Sequence, residues 1–66
     1  MNIGFKIEEI MKSKNISQAE LADKLGVQRQ TVFRHLKRWK EGKEPSIRLL
    51  REWCDCLEFD YKKIFQ

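Results

Sequence analysis

An all-α fold, a compact bundle of five short helices with no sheet, is what these 66 residues predict. Three observations carry the prediction. Apolar residues recur at helical spacing along successive segments. No segment alternates apolar and polar residues over a useful length, so no strand is expected. Capping residues stand where helices begin and end: Ser17, Ser46 and Asp60 at starts, Asn15 and Gly26 at ends.

The first helix is expected from about Ile3 to Lys14, with Ile3, Ile7, Ile10 and Met11 on one face. Asn15 closes it, because asparagine tolerates the left-handed conformation. Ser17 and Glu20 then form an S-x-x-E capping box, which opens a second helix from about Gln18 to Leu25. Ala19, Leu21, Ala22 and Leu25 supply its packing positions. Gly26 sits where the helix end requires a positive φ, which costs glycine least. A third helix starts near Arg29 and continues to about Lys40, since neither Gly nor Pro interrupts Gln28–Glu41. Val32, Leu36 and Trp39 fall on its apolar stripe, with Leu36 and Trp39 expected against the fourth helix. Gln30, Arg34, Lys37 and Glu41 fall opposite. Ser46 opens the fourth helix, which runs to about Cys56 or Leu57. Ile47, Leu50, Cys54 and Leu57 mark its inner face, with Leu49 and Trp53 alongside. Asp60 caps a last helical turn through Phe65.

A chain of 66 residues makes one domain, taken as residues 1–66, with a limited core. No run is long enough for a membrane helix and no N-terminal signal is visible, so a cytoplasmic, nucleoid-associated protein is expected. Cys54 and Cys56 diverge on a helix and do not bridge each other. Two cysteines and the single His35 are too few for a zinc site of usual spacing, so no metal or other cofactor is expected. No nucleophile or acid accompanies His35 in any local motif, which argues against an enzyme.

The net charge of +4 is unevenly spread. Residues 1–27 carry four basic and four acidic side chains, a net of zero. Residues 28–48 carry seven basic against two acidic, a net of +5. Residues 49–66 carry three basic against four acidic, a net of −1. The excess therefore lies on the third helix and the loop after it. A clustered basic stripe is the footprint of a phosphate-binding surface. The bland alternative is a solvated helix face.

Two helices joined by a tight turn at Gly26, the second polar and basic, form a helix-turn-helix unit. Ser17-Gln18, Leu21-Ala22 and Leu25-Gly26-Val27 resemble that unit in the lambda repressor and Cro family, also described as xenobiotic-response-element-like. Ile3–Ile10 is similar to the family's first helix, Gly42–Ser46 to the loop before its fourth, and Leu57–Phe65 to its closing segment. The chain departs from the family in its third helix. Gly42 lies ten residues beyond Val32, about one helical turn later than is common there. The family also often has an acidic residue where Leu36 stands and an apolar one where His35 stands.

The resemblance implies a lambda-repressor-like fold and sequence-specific binding of double-stranded DNA. It implies a small transcription regulator, a repressor, acting as a homodimer on a palindromic operator. Arg29, Gln30 and Arg34 match the family's base-contact positions. Their chemistry agrees: arginine bonds guanine O6 and N7 with two donors, and glutamine bonds adenine N6 and N7. Phe33 beside them offers an apolar contact to a thymine methyl, with packing or dimer formation as alternatives. Gln18 matches the family glutamine that meets the DNA backbone. Thr31 supplies a hydroxyl, and Lys37, Arg38, Lys40 and Lys43 supply charge, for further phosphate contacts.

Tyr61, Ile64 and Phe65 are the expected dimer contact, because three large groups in the last six residues do not easily reach one small core. The alternative is that Ile64 and Phe65 cap the monomer. No small-molecule ligand or membrane partner is expected. A different class of function is an antitoxin-like protein-interaction module, using Phe33, Tyr61 or Phe65. Stacking of single strands on Trp39 and Trp53 is disfavoured because Trp39 lies on the core stripe. Structured RNA is disfavoured because an A-form major groove does not admit this helix.

Overall fold

Four α-helices and a closing 3₁₀ helix follow one another along the chain. The structure, a computed structural model, describes residues 2–65. The helices are α1 (Ile3–Lys14), α2 (Gln18–Leu25), α3 (Arg29–Lys40) and α4 (Ile47–Cys56). The 3₁₀ helix spans Tyr61–Phe65. The described residues contain no strand.

Local chemistry sets each boundary. Asn2 caps α1, its side-chain oxygen accepting from the Phe5 N–H at 3.0 Å. The Ser17–Glu20 box is complete. The Ser17 hydroxyl accepts from the Glu20 N–H at 3.1 Å, and the Glu20 carboxylate accepts from the Ser17 N–H at 3.2 Å. Ser46 opens α4 by accepting from the Leu49 N–H at 3.1 Å. Asp60 accepts from the Lys62 N–H at 3.0 Å and starts the last turn. The predicted last helical turn is 3₁₀ in form. A five-residue segment at a chain end closes more readily with the tighter hydrogen bonding.

Every α-helix is followed by a residue with positive φ: Asn15 at 57°, Gly26 at 72°, Gly42 at 106° and Glu58 at 54°. At each, the N–H of the residue after the positive-φ position reaches back to a carbonyl of the last turn. Ile16 donates to Met11, Val27 to Ala22, Lys43 to Arg38, and Phe59 to Cys54. This Schellman closure satisfies carbonyls that the helix leaves open.

The core joins all five elements. Ile7, Leu21, Val32, Leu36, Leu50, Trp53, Cys54, Leu57 and Ile64 are fully buried, each large apolar one contributing about 1.5–3 kcal/mol. The backbone of α3 lies against α1 and α2, and α2 packs on α4. Contact between α3 and α4 is aromatic: the Trp39 and Trp53 rings are 4.6 Å apart at 58°. The His35 ring stacks on Trp39 at 5.5 Å and turns an edge to Trp53 at 6.1 Å.

Three expected positions differ. Ala19 is exposed, because Leu21 and Ala22, with half-buried Leu25, form the inward side of α2. Ile47 is 55% exposed. The inner face of α4 is Leu50, Trp53, Cys54 and Leu57, and one turn earlier the helix has passed the edge of the core. Ile64 is fully buried rather than available to a second copy, since the last turn folds back onto α4.

Candidate nucleic-acid interface

The site is the outward face of α3. Val32, Leu36 and Trp39 bury one stripe of that helix, which forces the opposite stripe into solvent. Arg29, Gln30, Phe33, Arg34, Lys37 and Arg38 are all exposed there, and Thr31 is half-buried at its edge. Gln28, the residue before the helix, makes no side-chain cap, so the first turn of α3 keeps its backbone donors uncapped by side chains. The helix dipole adds partial positive charge at that end.

Two depressions flank the stripe. One, of about 430 Å³, is lined by Gln18, Arg29, Gln30 and Phe33. It brings the first residue of α2 beside the first turns of α3, as the helix-turn-helix geometry requires. The other, of about 440 Å³, lies between α3 and the loop to α4. Thr31, Arg34 and Arg38 line it from the helix and Lys43 from the loop. Among the described residues, none of Arg29, Arg34, Lys37, Arg38 or Lys43 is held in a side-chain ion pair. Their charge is directed outward.

Lys40 does not join them. Its ammonium lies 2.6 Å from a Glu8 carboxylate oxygen and 5.8 Å from the centre of the Phe5 ring. The side chain therefore runs back toward α1, with its charge partly neutralised at the C-terminal end of α3. Asn2 adds to this junction, its side-chain amide donating to the Lys40 carbonyl at 2.9 Å. Sequence reasoning missed both positioning groups. Asn2 stands directly before the apolar-periodic Ile3, which is a readable cap signal. Glu8 carries no local signal at all.

Of the three residues expected at a dimer contact, Ile64 belongs to the core. Phe65 is 53% exposed, and Tyr61 is half-buried with the Arg51 guanidinium 5.0 Å above its ring. Cys54 is buried and Cys56 half-buried, both as free thiols. Burial, with Asp55 and Asp60 nearby, pushes the Cys54 thiol up to about 11. Burial also raises Cys56, against the lowering effect of Lys24. No helix among the described residues is long and apolar enough to cross a membrane.

A family model described as a homeodomain-like domain matches residues 3–48. The match takes in α1, α2, α3 and the loop into α4. Comparison with curated proteins and with solved structures gives no match.

Proposed function

We infer what this chain does from one premise, that it belongs to the homeodomain-like family, a helix-turn-helix DNA-binding family. The chain is a sequence-specific regulator of transcription, of the lambda repressor and Cro type, that represses as a homodimer on a palindromic operator. It places α3 in the major groove of duplex DNA. Arg29, Gln30 and Arg34 read base edges, while Gln18, Thr31, Lys37, Arg38 and Lys43 hold phosphates.

One observation carries this reading. The exposed stripe of α3 combines unpaired cations with a glutamine, flanked by Gln18 from the start of α2. Cations alone fit any polyanion. Amide and guanidinium groups along one helix stripe fit the donor and acceptor code of the major groove. Residues 3–48 include the whole basic segment up to Arg48, so charge and family match coincide.

A binding selection from a random duplex library tests it. The expected result is a selected motif with two-fold symmetry, bound with affinity that falls steeply as salt rises. Binding with no base preference removes the sequence-specific reading. Binding with no salt dependence favours instead a protein partner held by Phe33, Tyr61 or Phe65.

A further inference from the structure

Phe33 is out of place on a solvent-facing stripe. It is 52% exposed, whereas Val32, Leu36 and Trp39 of the same helix are at most 4% exposed. It takes no part in the aromatic cluster of His35, Trp39 and Trp53, nor in the cation–π contacts found among the described residues. Its neighbours across the adjoining depression are Gln18, Arg29 and Gln30. Leaving a ring of this size in water costs the fold the stabilisation that burial gives an aromatic.

We propose that Phe33 is a specificity residue that reads the C5 methyl of a thymine, one base step from the pair contacted by Gln30. The inference rests on α3 entering the major groove and deepens that reading by naming the group recognised. The surface around Phe33 is cationic, so its partner is a polyanion. That polyanion must present an apolar group at the same depth as the edges read by Gln30 and Arg29. In the major groove the apolar group is the thymine methyl. Spacing supports the match. Phe33 lies three residues after Gln30, a rise of about 4.5 Å along the helix, close to the roughly 3.4 Å between successive bases of one strand. Phe33 and Gln30 also share one face at that separation, so neighbouring bases fall under neighbouring side chains.

Deoxyuridine isolates the methyl group, since it keeps every hydrogen-bonding edge of thymine. The experiment measures binding of the full chain and of Phe33→Ala to the duplex recovered by library selection. Each thymine of that duplex is replaced in turn by deoxyuridine. One thymine per half-site is expected to weaken wild-type binding about four-fold on replacement, the worth of withdrawing one methyl group from water. The same replacement is expected to leave Phe33→Ala unchanged, and Phe33→Ala on the thymine duplex to bind no more tightly than wild type on the uridine one. Thermal melting of both proteins checks that the exposed ring contributes nothing to the fold. Uridine losses that are equal in both proteins overturn the proposal while leaving major-groove binding intact. A change in self-association on Phe33→Ala, with no change in DNA preference, assigns the ring to contact between copies instead. Failure of the selection to return any preferred duplex removes the groove reading, and this inference with it.

Discussion

Gly4 and Lys40 bring the backbones of α1 and α3 so close that a β-carbon on Gly4 would lie 2.5 Å from the Lys40 nitrogen. It would also lie 2.6 Å from the Lys40 Cγ and 2.9 Å from the Trp39 carbonyl carbon. Two of these three neighbours are backbone, so they do not swing away. Hydrogen is thus required at position 4 by helix contact, not by a turn. The Asn2 amide on the Lys40 carbonyl and the Glu8 pair with the Lys40 ammonium tighten the same junction. Together they fix the C-terminal end of α3 on α1, and with it the direction in which the exposed stripe points.

Gly4→Ala is therefore expected to destabilise the domain. Forcing α1 and α3 apart should cost roughly 1–3 kcal/mol, despite the higher helix propensity of alanine. Urea unfolding of the two proteins measures it. Equal midpoints would mean the helices do not approach this closely.

Lys40 should behave as a structural lysine. Its ion pair with Glu8 is partly exposed, with side chains 31% and 28% accessible, so Lys40→Ala and Glu8→Gln should each cost about 0.5–1 kcal/mol. Against DNA, Lys37→Ala should lower the salt slope by about one, as expected for one lost phosphate contact. Lys40→Ala should leave that slope close to wild type. A slope change of equal size for both variants would return Lys40 to the phosphate-binding set.

Glu58 is a site for gain. It is exposed and sits at φ 54°, a conformation that sterically penalises every residue with a β-carbon except in short-range polar cases. The Schellman bonds from Glu58 to Asp55 and from Phe59 to Cys54 use backbone alone, and so survive substitution. Lys14 also reaches only the Glu58 carbonyl. Glu58→Gly should stabilise by about 0.5–1 kcal/mol after allowing for the freer unfolded chain. For a domain of this size that raises Tm by several degrees, roughly 4–8 °C per kcal/mol. An unchanged or lower Tm would show that the helix end is not strained.

Cys54 gives a pH signature. Its native pKa is about 11, against an ordinary 9.0, because burial disfavours the thiolate. Between those values the unfolded chain releases the proton and the native one keeps it, so rising pH favours unfolding. The contribution is complete below pH 9.0 and lost by about 11. Its size is roughly 2–3 kcal/mol across the window. Other groups titrate there too, so the measured quantity is the difference from Cys54→Ala. That difference should move against wild type as pH rises, and a constant difference would contradict a buried thiol.

Legibility in the sequence followed the range of the interactions. The Ser17–Glu20 box, the turn at Gly26 and the cap at Ser46 use neighbours three or four residues apart, so the residues themselves announce them. The span of α3 from Arg29 to Lys40 was readable because Val32, Leu36 and Trp39 keep one stripe without a helix breaker. Glu58 was hidden because glutamate is not a residue type that signals positive φ. The apolar Phe59, placed to pack near Cys54, is the signal that a Schellman closure was present. Ile47 lies outside the core, which periodicity does not show: it tells which residues share a face, not where the core ends along it. For Ile64 the structure takes the monomer-capping alternative. The partner of Lys40 was hidden for a different reason. Glu8 lies 32 residues away, and only the packing of α1 on α3 brings the two charges together.

Base readout is the decisive expectation for the exposed stripe. Gln30 and Arg34 lie four residues apart on α3, so both face the same groove, about one turn apart along the helix. Each carries two donors or a donor and an acceptor, enough for a bidentate contact with one base pair. Gln30→Ala and Arg34→Ala should each weaken binding to a selected duplex by about 1–3 kcal/mol and relax the base preference at one position. The positions relaxed by the two variants should differ. Arg38→Ala, on the flank toward Lys43, should instead weaken all duplexes alike, because a phosphate contact carries no sequence information. Library selection with each variant separates these outcomes. The groove assignment fails if both Gln30→Ala and Arg34→Ala recover the wild-type motif with every position intact. Neither side chain is part of the core, so melting temperatures close to wild type are the control that the losses arise at the DNA surface.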